Sequence, residues 1–215
     1  MASILDFVPK PYLAAQLRRP SGLFGRLVIA PALNRSNAAL NAVVVDALDL
    51  GPDDRVLEVG FGGGDLIARL LPLVPGGRIV GADFSDDMVS LCSRRFSAAI
   101  EAGALSLHRA TVDALPMDDA SVDKVCTANT IYFWPNPEAA LRELHRVIAP
   151  AGRIVIGFAP RETLERLPVS EHGFRMYEVE EVASMLRAAG FDDVSVAMIG
   201  EATGTDCCMA ARLPA

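Results

Sequence analysis

The sequence predicts an α/β fold in which a mostly parallel sheet carries helices on both faces and ends in an antiparallel strand. Three observations predict it. From residue 55 onward, short apolar runs alternate with amphipathic helical stretches, and each such crossover returns the chain to a parallel neighbour. A glycine-rich turn, Gly60-Phe61-Gly62-Gly63-Gly64, follows the first run, where a ligand-binding turn belongs in such a sheet. The last two runs, 194–199 and 207–212, have no helix between them and so form an antiparallel hairpin at one sheet edge.

The elements follow in order. Residues 1–36 form an arm, where Pro9, Pro11, Pro20 and Pro31 interrupt apolar pieces and leave only short helical turns. The domain proper, 37–215, opens with a helix over 37–50 that Gly51-Pro52 stops. Strand 55–60 leads into helix 65–71, and strand 78–83 into a helix over 86–102 with Ser85 as N-cap. Strands 105–109 and 122–128 follow. Helix 137–148 starts on Pro137, and the turn Pro150-Ala151-Gly152 introduces strand 153–158. An irregular stretch over 159–176 precedes a helix over 179–189 that Gly190 closes.

Composition narrows the function classes. The chain is 51% hydrophobic and 22% charged, which supports a large core, and its net charge of −7 argues against a nucleic-acid-binding surface. The charge is uneven. Residues 1–35 hold Lys10, Arg18, Arg19, Arg26 and Arg35 against Asp6, a local +4 that leaves −11 on the remainder. Cys92, Cys126, Cys207 and Cys208 show no metal-ligand spacing, and adjacent Cys207 and Cys208 point to opposite faces of a strand. No secretory signal, disulfide framework or bilayer-length apolar run is visible, so a cytoplasmic protein is the default expectation. No clustered acid and His ligands predict a metal.

The glycine turn carries the first chemical signal. Gly60, Gly62 and Gly64 allow positive φ and a close approach of backbone amides to a ligand. A dinucleotide fingerprint needs glycine at the sixth position from Gly60, but Asp65 stands there, which disfavours a nicotinamide oxidoreductase. Glu58, just before the turn, suits a cationic ligand better than a pyrophosphate. Asp83 ends the second strand, where a carboxylate accepts both ribose hydroxyls, and Phe84 and Met88 are placed to pack on an adenine face.

These residues resemble the class I S-adenosylmethionine-dependent methyltransferases, in particular their small UbiE-like group. The resemblance rests on Glu58-Val59-Gly60-Phe61-Gly62-Gly63-Gly64, on Asp83, on Leu115-Pro116-Met117 followed by Ser121-Val122-Asp123-Lys124-Val125, and on the Leu141–Gly152 segment with Glu143 and Arg146. It covers residues 50–158 well. It implies a Rossmann-like, three-layer α/β/α sandwich with seven strands, and S-adenosylmethionine as cofactor. It further implies that the glycine turn, Phe61 included, holds the methionine portion and that Asp83 holds the ribose. Asn129 and Thr130 then contact the methionine end. The family's adenine-binding acid falls on Thr111; either Asp113 takes over that contact, or Thr111 and the Val112 amide suffice. Ala151 replaces a common glycine.

The acceptor site is less defined. The aromatic run Ile131-Tyr132-Phe133-Trp134-Pro135 follows the fourth strand, with Tyr132 expected to face substrate and Phe133 and Trp134 expected in the core. His172, in the irregular stretch, is the candidate general base. The basic arm folds over the cofactor as a lid, binds an anionic or lipid-like acceptor, or packs on the partner subunit of a homodimer. The leading expectation is a methyltransferase for a small-molecule acceptor. The alternatives are a lipid or quinone methyltransferase at a membrane surface, and a non-catalytic S-adenosylmethionine-binding module.

Overall fold

The computed structural model describes residues 8–167, 169–201 and 204–215; the first seven residues of the expected arm lie outside it. Seven strands form one sheet in the order β3-β2-β1-β4-β5-β7-β6: β1 Arg55–Val59, β2 Arg78–Asp83, β3 Leu105–Arg109, β4 Val122–Ala128, β5 Ile148–Phe158, β6 Asp192–Glu201 and β7 Gly204–Arg212. All neighbours from β3 to β5 are parallel, whereas β7 runs antiparallel to both β5 and β6.

Strand alternation builds two cores, one on each face. Leu57, Val125, Ile154, Ile156 and Cys207 join the core under α8 (Pro137–Val147) and α10 (Val179–Ala188). Val56, Cys126, Val155 and Cys208 join the opposite core under α4 (Ala38–Leu48), α5 (Asp65–Leu70) and α6 (Asp86–Arg95). The two adjacent cysteines therefore do face opposite ways. Leu40, Val44 and Leu48 form the buried stripe of α4. That helix lies so close to β5 that a Cβ at Gly157 would stand 2.8 Å from Val44 and 3.0 Å from Leu40.

Four local expectations change. The helix expected over 86–102 breaks at Phe96 (φ −114°, ψ 25°) into α6 and α7 (Ser97–Glu101). Ser85 does not cap α6 with its side chain, because its hydroxyl donates to the Pro20 carbonyl instead. The turn at Pro150-Ala151-Gly152 is absorbed into an extended β5. Ala151 there has φ +61°, the left-handed region that explains a glycine preference. The irregular stretch also contains a short helix, α9 (Arg161–Leu164).

The arm is more ordered than its prolines imply. After α1 (Lys10–Arg18), α2 (Gly22–Phe24), a π-helical turn (Gly25–Ile29) and α3 (Ala30–Ser36) run on as one helical rod. The Ala30 amide reaches back five residues to the Gly25 carbonyl. This widened turn admits Pro31, whose ring would collide with the preceding turn of a regular helix. Buried Gln16 closes the hairpin by donating to Ser21 Oγ (3.0 Å) and accepting from the Ser21 amide (3.0 Å). Among the described residues, no helix is long and apolar enough to cross a membrane.

Candidate functional site

The winding of the sheet reverses between β1 and β4, and a cavity opens beyond the carboxyl ends of these strands, as expected for an open parallel sheet. Its floor is the glycine turn. Gly60 has φ +74°, and a Cβ there would strike Thr130 Cγ2; Gly62 has φ +47° with open space where its Cβ would be. The first glycine lets the strand end pass under β4, and the second exposes backbone to a ligand.

Two carboxylates stand on this floor. Glu58 is only 2% exposed and lines the cavity, yet its Oε2 has no hydrogen-bond partner. Burial, then the neighbouring charges of Asp83 and Asp65, push its pKa up to about 8, and the Ile67 amide offsets only part of this. Asp83 accepts from the Gly62 amide (2.9 Å) and the Ser85 amide (2.8 Å), which ties the turn after β1 to the turn after β2. Its pKa is also raised by burial, against these two hydrogen bonds.

Of the residues expected to hold the cofactor, Glu58, Gly60, Phe61, Gly62, Asp83, Phe84, Thr111, Val112, Asn129 and Thr130 line the one cavity. Three do not. Gly64 faces the core, with a would-be Cβ 2.6 Å from the Phe96 ring and 3.0 Å from Cys92 Sγ. Met88 is fully buried under the sheet with Cys92 and Leu70, because the first turn of α6 directs it inward. Asp113 is exposed to solvent outside the cavity wall, which leaves Thr111 and Val112 as the residues lining that part.

The aromatic run is as expected in part: Trp134 is buried in the core with Phe133 packed against it, but it is these two and not Tyr132 that face the cavity. The 3₁₀ turn Ile131–Phe133 buries Tyr132, which does not line the cavity, while Phe133 and Trp134 do. Tyr132 is a strut: its hydroxyl accepts from the Ala159 amide and donates to Asn129 Oδ1 (2.7 Å). Burial drives its pKa up, so it holds its proton. Trp134 Nε1 donates to Thr130 Oγ1 (3.2 Å), and Thr127 Oγ1 donates to the Val59 carbonyl (2.9 Å). Because a carbonyl only accepts, the close contact between the two threonine hydroxyls must run from Thr130 to Thr127. His172 lies outside this cavity, in an adjoining one.

Sequence reasoning missed a polar helix edge. Asn34, Asn37 and Asn41 recur at helical spacing across α3 and α4, and all three line the cavity. Asn37 Oδ1 accepts from Asn129 Nδ2 (3.1 Å), which links the start of α4 to the end of β4. Asn41, 5% exposed, donates to Asp65 Oδ2 (2.9 Å), which also accepts from Arg69 Nε (2.7 Å). Asp65 thus fixes the amide, and Asn41 Oδ1 is a second buried acceptor with no partner. The only sequence signal was the spacing of the asparagines.

The motif segments also meet. Glu143 Oε1 accepts from the Leu115 amide (2.8 Å), and Arg146 donates to the Met117 carbonyl (2.8 Å) while paired with Glu143. Helix α8 thereby holds the loop that follows Thr111 and Val112. Two orphaned buried acceptors, Glu58 and Asn41, in a cavity with an acid at the end of β2 fit a cationic nucleoside with many donors, as S-adenosylmethionine is.

Comparison with known proteins agrees. Residues 57–156 match a family model described as a methyltransferase domain. The uncharacterized methyltransferase YdaC of Bacillus subtilis is 25% identical over 179 residues, covering 83% of this chain and 94% of that protein. The demethylmenaquinone methyltransferase of Thermus thermophilus is 38% identical over 112 residues, 51% of this chain and 49% of that protein. The match thus spans about half the length of that relative. Among solved structures, a complex of the Haloferax volcanii Trm112 methyltransferase activator with a methyltransferase gives a TM-score of 0.77 at 20% identity, covering 86% of this chain and 93% of that one. Fold, cavity and the methyltransferase-domain match over residues 57–156 support an S-adenosylmethionine-dependent methyltransferase. The sequence is similar to UbiE-type methyltransferases over about half of its length.

Proposed function

We propose that this methyltransferase acts on a small-molecule acceptor, which enters between the arm and the Phe133–Trp134 pair. The observation that carries this is the composition of one cavity. Acids and asparagines lie around the glycine turn, and Leu17, Leu33, Phe133 and Trp134 wall the rest. When bound, S-adenosylmethionine supplies a methyl group on a sulfonium leaving group. In this proposal Glu58 and Asn41 meet its cationic end, Asp83 its ribose hydroxyls, and Thr111 with Val112 its base. Phe133, Trp134 and the arm exclude water and orient the acceptor for in-line attack. Among the described residues lining the cavity there is no His or Lys, and the carboxylates lie around the glycine turn, so an acceptor that attacks without a side-chain base is favoured.

The arm acts as a lid. Its attachments support this: the Gly22 amide donates to Asp87 Oδ2 (2.8 Å), Ser85 donates to the Pro20 carbonyl, and Arg19 pairs with Asp86 (3.5 Å). Screening metabolite extracts for a cofactor-dependent gain of one methyl group tests the proposal. Transfer to protein or nucleic acid only would refute it.

A quinone or lipid acceptor at a membrane surface is the second reading. Leu23 and Leu27, each 70% exposed on the outer face of the arm, favour it, as does the name of the Thermus relative. Cosedimentation of the full chain with anionic liposomes separates the two; no pelleting sinks the membrane reading.

A further inference from the structure

His172 and the arm cations, which the cavity over the glycine turn does not absorb, meet elsewhere. A second cavity of about 410 Å³ lies between α1 and the segment around Gly173. Arg18, Arg19 and His172, all three exposed, line it with Pro11, Ala14 and Phe84, and among the described residues no carboxylate lines it. Arg19 is partly engaged, stacked 5.6 Å over the Phe84 ring and paired at 3.5 Å with Asp86. The side chains of Arg18 and His172 have no hydrogen bond or ion pair among the described residues.

The placement of His172 is built. The following turn has Gly173 at φ +87°, the Arg175 amide donates to the Tyr132 carbonyl (3.1 Å), and Phe174 packs edge-on to Phe133 at 4.7 Å. The segment is thus fastened to the same aromatic group that walls the main cavity. Arg18 and Phe84 line both cavities, so the two are contiguous.

We propose that this second cavity is a subsite for the anionic end of the acceptor, a carboxylate or phosphate on an apolar body. The proposal rests on the acceptor being a small molecule. Arg18 and His172, two donors without an acid partner among the described residues, select an anion beside Arg19, which is shared with Asp86, all the more in a chain of net charge −7. Arg18 and His172 provide charge-assisted or neutral donors to its oxygens, and Phe84 with Pro11 and Ala14 covers the carbon chain. His172 is then a specificity residue and not the general base, because it lies outside the wall where the methyl group is transferred.

The test titrates hexanoate, hexyl phosphate and hexanol into the full chain by calorimetry. Both anions are expected to saturate and hexanol is not. Arg18→Gln and His172→Gln should each weaken anion binding by roughly fivefold or more, the loss of one charge-assisted hydrogen bond. His172→Gln should leave the affinity for S-adenosylhomocysteine within about twofold, which shows that the variant is folded. Equal anion binding by wild type and both variants, or hexanol binding as tightly as the anions, overturns the subsite. If the anions bind as described but every acceptor found is a macromolecule, the small-molecule reading fails while the anion site stands.

Discussion

Replacing Glu58 with Gln should make the unliganded protein more stable at alkaline pH and much poorer at holding its cofactor. The carboxyl is buried, its Oε2 is unpartnered, and Asp83 and Asp65 lie close enough to oppose its ionisation. Its pKa moves from the usual 4.5 to about 8. In the unfolded chain Glu58 ionises at its ordinary value, so between pH 4.5 and about 8 the folded state holds a proton that the unfolded state has lost. The associated stability is fully present below pH 4.5 and is lost as pH rises through about 8. At ~1.4 kcal/mol per pH unit this window is worth at most ~5 kcal/mol. Gln removes the titration while keeping an acceptor for the Ile67 amide. Urea unfolding of both proteins from pH 5 to pH 9 should show their stabilities diverging as pH rises, with the variant ahead at the alkaline end. Calorimetry in buffers of different ionisation enthalpy should show wild type releasing about one proton per S-adenosylmethionine bound near pH 7, and the variant none. A stability difference that stays flat with pH would refute the reasoning, whatever happens to activity.

Three further outcomes are expected. Gly60→Ala forces a Cβ onto Thr130 at φ +74° and should abolish S-adenosylhomocysteine binding in a fluorescence titration, with a stability loss of about 1–3 kcal/mol. Tyr132→Phe leaves the Ala159 amide without its acceptor and should cost about 1–3 kcal/mol in urea unfolding, but lower kcat far less than removal of a true base would. Asn41→Ala strips an acceptor from the cavity and a donor from Asp65; the Kd for S-adenosylmethionine should rise about tenfold, read by calorimetry.

The sheet was legible because its strands are short apolar runs whose alternate residues enter separate cores, as Val56 and Leu57 do. The floor of the site was legible for a related reason. A turn at a strand end needs glycines and acids close together in sequence, and Glu58, Gly60, Gly62 and Asp83 fall within two adjacent strand-helix units. What did not show was set by tertiary contacts. The prolines of the arm read as breaks because the π-helical turn that accommodates Pro31 depends on Gly25, which in turn packs against Pro20. Choosing Phe133 and Trp134 over Tyr132 as the cavity-facing aromatics needs the rotation of one 3₁₀ turn, which no periodicity reports. Asn41 looked like an ordinary polar residue on a helix; only Asp65, 24 residues later, gives its amide a direction.

The Trp134–Thr130–Thr127–Val59 chain has a consequence for which reactions this wall permits. Each proton in it is committed in one direction, toward a carbonyl that has none to return. The wall can therefore receive a hydrogen bond from an incoming acceptor but cannot carry a proton away. In the proposed site an alcohol would therefore find no proton acceptor in this hydrogen-bonded chain, whereas an enolate, thiolate or free amine needs none for its attack. In the proposed site these hydroxyls would then filter the charge state of the nucleophile, through a main-chain oxygen at the end of β1.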